Sequence, residues 1–124
     1  MNQTLEVAFL GVSDVDVSKD FYTRAGFNPD HDSVVHEGLR FVQMTPPGSG
    51  CSIAFGEGIT EVVPGGAHLM LCADDITAAR QHLLDAGFDV SEVDVQPWGH
   101  FVYFSDPDGN RWNVQYLPHR HTND

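Results

Sequence analysis

The sequence contains an internal repeat. Residues 12–27 read VSDVDVSKDFYTRAGF, and residues 73–88, which lie 61 positions later, read ADDITAARQHLLDAGF. Without any gap, Asp14 aligns with Asp75, and the tripeptide Ala-Gly-Phe that ends the first stretch aligns with the same tripeptide in the second. Apolar runs of strand length precede both stretches. A repeat of this period indicates two copies of one supersecondary unit, so the two halves should share a fold.

Each copy predicts a strand, a helix and three shorter strands. The first strands span about 5–12 and 67–73. Asp14 and Asp75 suit the helix N-cap, since a carboxylate there accepts the free N–H groups of the first turn. Gly26 and Gly87 should end the two helices. The remaining strands are predicted at about 27–35, 38–45 and 51–56, and at about 88–95, 100–105 and 111–117.

These elements predict an α+β fold of two β-α-β-β-β modules that form a curved eight-stranded sheet. We expect one domain over residues 1–124, with module one at about 4–60 and module two at about 65–118. The sequence Pro64-Gly65-Gly66 is the expected linker between them. Because an open sheet leaves exposed edges that proteins usually cover, we also expect a homodimer.

Composition narrows the possible partners and the compartment. The formal net charge of −12, from 18 acidic and 6 basic residues, argues against nucleic acid as a partner. It is compatible with a cationic ligand, or with a role in solubility alone. No apolar run reaches the ~20 residues of a membrane helix, and the N-terminus does not resemble a signal peptide. Cys51 and Cys72 lie in apolar stretches and are expected to be buried thiols of a cytoplasmic protein.

Three features together resemble the vicinal-oxygen-chelate superfamily. They are the two modules, the pattern Phe21-Tyr22 followed by Gly26-Phe27, and the turn Asp-Pro-Asp-Gly-Asn at 106–110. This superfamily includes glyoxalase I, extradiol dioxygenases, fosfomycin-resistance enzymes and bleomycin-binding proteins, so the resemblance implies a glyoxalase-like fold without specifying an activity. The segment QPWG at 96–99 is similar to that of bleomycin-binding proteins, which are small, acidic and metal-independent.

The resemblance also implies where a metal site would lie. The family's ligand positions fall on Val7, Ala54, His68 and Asn113. Valine and alanine have no ligand atom, and one histidine does not hold a transition ion, because catalytic sites keep about three protein ligands. We therefore expect no metal cofactor. The alternative, a divalent metal, would require other histidines as ligands, namely His100, His36 or His31.

Period-two alternation along the strands predicts a cavity. With His68 facing inward, Met70 does too, and with Asn113 facing inward, so does Gln115. Trp112 and Val114 would then face the helix. His100 is expected to share the cavity because of its strand, and Trp98 is expected at the rim. The predicted ligand-binding residues are Val7, Phe9, Ala54, His68, Met70, Trp98, His100, Asn113 and Gln115, and no catalytic residue is predicted.

Two functions are compatible with these patterns. The first is metal-independent binding and sequestration of a small molecule, cationic or aromatic in character and drug-like. It follows from the missing ligands, the acidic charge and the QPWG segment. The alternative is an enzyme of the glyoxalase or dioxygenase type, a lyase, isomerase or oxidoreductase with an altered metal site. A regulatory or structural role is a third possibility.

Overall fold

Each half of the chain forms a strand, a helix and three more strands in the computed structural model, which describes residues 1–118. The first half contains β1 (Val7–Phe9), α1 (Val15–Arg24), β2 (Asn28–His36), β3 (Leu39–Thr45) and β4 (Ser52–Glu57). The second contains β5 (His68–Cys72), α2 (Ile76–Asp85), β6 (Asp94–Gln96), β7 (Gly99–Ser105) and β8 (Arg111–Tyr116). The predicted α+β class with two β-α-β-β-β modules is confirmed.

The strands form two four-stranded sheets of identical topology, with the orders β1-β4-β3-β2 and β5-β8-β7-β6. In each sheet the first strand of the module runs parallel to the last, and the other pairs are antiparallel. By hydrogen bonding, the expected eight-stranded sheet is therefore two sheets of four. In the first sheet the edge strand β2 leaves Val34 and Val35 exposed. The homodimer expected from such edges stays a prediction.

The helices α1 and α2, which lie in the repeated part of the sequence, have the same capping geometry at both ends. Asp14 accepts a hydrogen bond from the backbone of Val17 at 3.1 Å, and Asp75 accepts the equivalent bond from Ala78 at 3.0 Å. At the other end, Gly26 and Gly87 adopt φ of 101° and 90°, which only glycine adopts at little cost. The residue after each glycine, Phe27 or Phe88, donates its backbone N–H to a carbonyl in the last turn of the helix, as in a Schellman motif.

The predicted strand at 88–95 is the one whose bounds differ most from the structure, where β6 covers only Asp94–Gln96. Ser91 explains the late start. Its backbone N–H donates to the carbonyl of Tyr103 at 3.0 Å, but its side-chain hydroxyl accepts from the backbone N–H of Tyr103 at 2.9 Å. The Ser91 hydroxyl thus takes the place of the backbone carbonyl that would accept this bond in a regular antiparallel pair. Regular pairing of β6 with β7 therefore begins only at Asp94.

The chain divides into two compact units. Unit 1 comprises residues 1–67 together with the turn 106–110, and unit 2 comprises the remaining residues, 68–105 and 111 onward. In unit 1, Tyr22 of α1 packs on Phe55 of β4 with ring centroids 5.8 Å apart. In unit 2, Trp112 and Val114 are 2% and 3% exposed in the layer beneath α2, as the alternation predicts.

Cys72 differs from the prediction of a buried thiol. It is exposed, whereas Cys51 is partly buried, and neither thiol forms a disulfide within residues 1–118. The reason is alternation in β5, where Cys72 shares the exposed face with His68 and Met70. Within residues 1–118, neither helix is long and apolar enough to span a membrane.

A buried carboxylate organises unit 1. Asp106 is 5% exposed and accepts four hydrogen bonds. Its Oδ2 accepts from the hydroxyl of Tyr22 at 2.7 Å and from the amide of Asn110 at 2.8 Å. Its Oδ1 accepts from the backbone N–H groups of Asn110 and Asp108. Asn110 in turn donates to the carbonyl of Gly11 and accepts from the backbone of Ala67. Every polar group of this network is therefore satisfied, which offsets the cost of burying the charge.

We predict that Asp106→Asn lowers the free energy of unfolding by about 2 kcal/mol, because its NH₂ group would face two donors where the carboxylate accepted them. Chemical denaturation monitored by circular dichroism measures this. Asp20→Asn is the matched control, since Asp20 is exposed on α1 and its loss should change stability by less than about 0.5 kcal/mol. Equal effects of the two substitutions would contradict the structural role of Asp106.

We predict that Ser18→Ala raises the free energy of unfolding by about 1 kcal/mol. The hydroxyl of Ser18 is fully buried in α1 and lacks a hydrogen-bond partner among the described residues. Alanine removes that unsatisfied group and has the higher helix propensity. The aligned position in the second repeat is already Ala79, so Ala79→Ser is the reverse control and should destabilise. Thermal and urea unfolding of both variants check the signs.

Candidate ligand-binding site

The two faces of the second sheet differ in character because of the register across the turn at 106–110. Asn113 pairs with Tyr103, and Gln115 pairs with Phe101. On the other side of β8, Met70 pairs with Asn113. Paired residues in adjacent strands point to the same face. One face therefore presents amides, aromatic rings and a thioether, and the opposite face presents the apolar layer under α2.

An open cavity of about 410 Å³ lies on this face of unit 2. Its volume is within the range of sites that bind small molecules. Strands β5, β6, β7 and β8 and the turn between β6 and β7 all contribute to it. The lining residues are Met70, Asp94, Gln96, Trp98, Phe101, Tyr103, Asn113 and Gln115.

Aromatic side chains form much of the lining. The rings of Phe101 and Tyr103 are almost parallel, with an interplanar angle of 3° and centroids 6.4 Å apart. Trp98 lies in the two-residue turn Pro97-Trp98 between β6 and β7, and it is 62% exposed. The turn is followed by Gly99, where a side chain would come within 2.9 Å of the Tyr116 carbonyl and the Leu117 side chain. The turn therefore places the indole ring of Trp98 at the rim of the cavity, with most of the ring accessible to solvent.

A carboxylate on the cavity wall is held by two of its neighbours. Asp94 accepts from the hydroxyl of Tyr103 at 2.7 Å and from the amide of Gln96 at 2.8 Å. The hydrogen bond to Asp94 raises the pKa of Tyr103, because the phenol proton is shared with a negatively charged acceptor. Tyr103 therefore stays neutral at physiological pH, and Asp94 is the one Asp, Glu, Lys, Arg or His side chain among the lining residues within 1–118.

Two amides complete the lining, and each is bonded to a residue of β5. The Nε2 atom of His68 lies 3.0 Å from Oδ1 of Asn113. The Nε2 atom of Gln115 donates to the sulfur of Cys72 at 3.1 Å. These contacts direct one end of each amide toward β5. The amide nitrogen of Asn113 and the amide oxygen of Gln115 are left to bond a ligand or water.

The structure brings together some of the sequence-predicted site residues. Met70, Trp98, Asn113 and Gln115 line the cavity of unit 2. His68 lies beside it, in contact with Asn113, and is exposed at the start of β5 rather than at the cavity floor.

The expectation that His100 faces the cavity is wrong. His100 pairs with Tyr116 and contacts its ring at 5.5 Å between centroids. It is one residue out of phase with Phe101, which lines the cavity, so alternation places His100 on the opposite face.

Three predicted site residues belong to unit 1 instead. Val7 and Phe9 point to the same face of the first sheet, where Phe9 pairs with Ala54. Phe9 is exposed, whereas Ala54 is fully buried. Leu10 and Phe55 are buried in the core of that unit.

Four residues of the lining were not in the predicted list, namely Asp94, Gln96, Phe101 and Tyr103. The position of Tyr103 could have been predicted from the turn sequence. A tight turn at 106–110 pairs Ser105 with Arg111, so Tyr103 must pair with Asn113. Asp94 and Gln96 had no such signal. Their orientation depends on where β6 begins, which the side chain of Ser91 decides.

The family's metal positions do not fit a metal here. Val7 and Ala54 lack donor atoms, and Nε2 of His68 is engaged by the amide of Asn113. His31 and His36 are on β2 and His100 faces away from the cavity. No group of three His, Cys, Asp or Glu side chains suited to a metal ion occurs within residues 1–118.

Comparison with known proteins gives the class. The family model of the Glyoxalase/Bleomycin resistance protein/Dioxygenase superfamily matches residues 3–114, and the chain belongs to this superfamily. The antibiotic binding protein TnmS3 from Streptomyces sp. CB03234 is 30% identical, with a TM-score of 0.83 over 94% of this chain and 97% of that one.

Two further solved structures are similar. A glyoxalase/bleomycin resistance protein from the same Streptomyces is 31% identical, with a TM-score of 0.78 over 90% of this chain and 99% of that one. A superfamily member from Sphaerobacter thermophilus DSM 20745 is 28% identical, with a TM-score of 0.78 over 93% and 98% of the two chains. No curated protein sequence matches this chain.

We predict that protein purified without chelators carries far less than one equivalent of zinc, nickel, manganese or iron. The reason is the donor set at Val7, Ala54, His68 and Asn113. Inductively coupled plasma mass spectrometry measures the content, with His68→Ala as the comparison. One tightly held equivalent in the wild type that disappears in His68→Ala would contradict the prediction.

Proposed function

We propose that this protein binds a flat aromatic small molecule of antibiotic-like character in the cavity of unit 2, without a metal, and acts by sequestering it. The observation that carries the proposal is the lining itself. An exposed indole and two nearly parallel rings surround a small number of hydrogen-bonding groups.

The physical chemistry of the cavity supports an aromatic ligand. Aromatic rings attract one another in offset or edge-to-face arrangements, with a gain of about 0.5–1.5 kcal/mol beyond the burial of area. The exposed faces of Trp98 and Met70 gain further by removal from water. The amides of Asn113 and Gln115 can orient polar substituents of the ligand, because each has one end already bonded to β5.

The relatives support the same proposal. TnmS3 is an antibiotic binding protein, and it is similar over nearly the full length of both chains. A binding role needs no catalytic group, and among the described lining residues there is no histidine, cysteine or serine.

The alternative is an enzyme of the glyoxalase or dioxygenase type with an altered metal site. The only observation in its favour is His68, which occupies one of the family's ligand positions. Its exposure at the start of β5 and its contact with Asn113 favour a role in holding that amide.

We predict that acridine, a neutral three-ring probe, quenches the fluorescence of Trp98 and leaves Trp112 almost unaffected, since Trp112 is buried under α2. Trp98→Ala should weaken acridine binding about fivefold, because it removes one stacking partner. Isothermal titration calorimetry is the readout for this variant, which lacks the reporter indole.

Val95→Ala is the matched control. Val95 is an exposed apolar residue of β6 that does not line the cavity, so its truncation should leave the affinity for acridine unchanged. Quenching that persists in Trp98→Ala at unchanged affinity would place the ligand elsewhere and refute the proposed site.

A further inference from the structure

We infer that the ligand carries a positive charge next to its aromatic rings, and that Asp94 is the residue that binds this charge. The inference rests on the proposed function, since it assigns the chemical class of the molecule that the cavity of unit 2 takes. It follows from four observations on the lining, namely a carboxylate, its neutral partners, the absence of basic residues among the described lining residues, and the aromatic surroundings.

Within the part of the chain that the structure describes, the side chains that donate hydrogen bonds to Asp94 are neutral. The partners are the phenol of Tyr103 and the amide of Gln96, both of which also line the cavity. A carboxylate offers about four acceptor positions, and these bonds use one on each oxygen. A ligand N–H group can therefore still bond the same carboxylate.

Among residues 1–118, no basic side chain neutralises Asp94 from within the lining, since none of the described lining residues is a lysine, arginine or histidine. The nearest basic residue on this face of β8 is Arg111. It lies four positions from Gln115, the residue in the same cross-strand row as Asp94, so it is about 13 Å farther along the strand. The described ion pairs of the chain involve Asp16, Asp20 and Asp32 rather than Asp94.

The neighbouring rings favour the same class of ligand. Phe101 pairs with Asp94 across β6 and β7, and Tyr103 bonds it directly. A cation over an aromatic face gains from the ring quadrupole, and it gains more where water is partly displaced. A carboxylate flanked by such faces can therefore hold an ammonium or a protonated ring nitrogen. The formal charge of −12 would also raise the local concentration of cations.

Three probes of similar shape and different charge test the inference at neutral pH. They are 9-aminoacridine, a cation, acridine, which is neutral, and anthracene-9-carboxylate, an anion. We expect wild-type protein to bind 9-aminoacridine about tenfold more tightly than acridine and the anion most weakly, because a charge-assisted hydrogen bond is stronger than a neutral one. Rising NaCl should reduce the preference.

Asp94→Asn should lower the affinity for 9-aminoacridine to that of acridine, so that the preference disappears. Glu37→Gln is the matched control. It removes one negative charge from the exposed turn after β2, which does not line the cavity, and it should keep the preference. A preference for the cation that survives in Asp94→Asn, or that is lost equally in Glu37→Gln, would overturn the assignment to Asp94.

The outcomes separate this inference from the proposed function. If wild type binds acridine and 9-aminoacridine with equal affinity at every salt concentration, an aromatic site exists but the charge inference fails. If wild type binds none of the three probes, both fail. The salt dependence is measured on the unaltered protein, so it tests the preference for a cation even if Asp94→Asn does not fold. Asp94→Ala then tests the assignment to Asp94, and a preference that survives in this variant would overturn it.

Discussion

A single helix covers one face of each four-stranded sheet, and this constraint decides where a ligand can bind. In unit 2 the helix-covered face is apolar, with Trp112 and Val114 buried beneath α2. The alternate residues of the same strand, Asn113 and Gln115, must point the other way. No described helix of unit 2 packs on them, so that face keeps amides and aromatic rings accessible. The cavity is thus a consequence of covering the sheet on one side only.

The carboxylates of Asp106 and Asp94 differ in how many of their acceptor positions are used within the protein. Asp106 is buried and accepts four hydrogen bonds, two of them from backbone N–H groups, so its negative charge is fully compensated within unit 1. Asp94 accepts two from the described residues, both from neutral side chains, and it lies on the wall of an open cavity. The first residue stabilises the fold, whereas the second retains acceptor positions for a ligand.

The superfamily places metal ligands on strands that this chain has kept, but the ligand chemistry is lost. Val7 and Ala54 lie on β1 and β4 with no donor atoms, and His68 is bonded to Asn113 rather than to a set of other donors. Aromatic residues of β7 and of the turn before it dominate the neighbouring surface instead. Such a surface suits recognition by stacking and by hydrogen bonding, which supports the proposed binding role.

The sequence by itself determined the two-module fold, the helix caps and the buried layers, because each depends on local patterns. Asp14 and Asp75 are N-caps, and Trp112 and Val114 face the helix, as period and capping chemistry require. The tertiary structure alone decided whether His100 and Asp94 join the predicted residues that line the cavity. His100 faces away because of its pairing with Tyr116, and Asp94 enters the lining because Ser91 delays the start of β6. Cross-strand register joins residues far apart in the chain, and a shift of one residue reverses the face of every side chain in a strand.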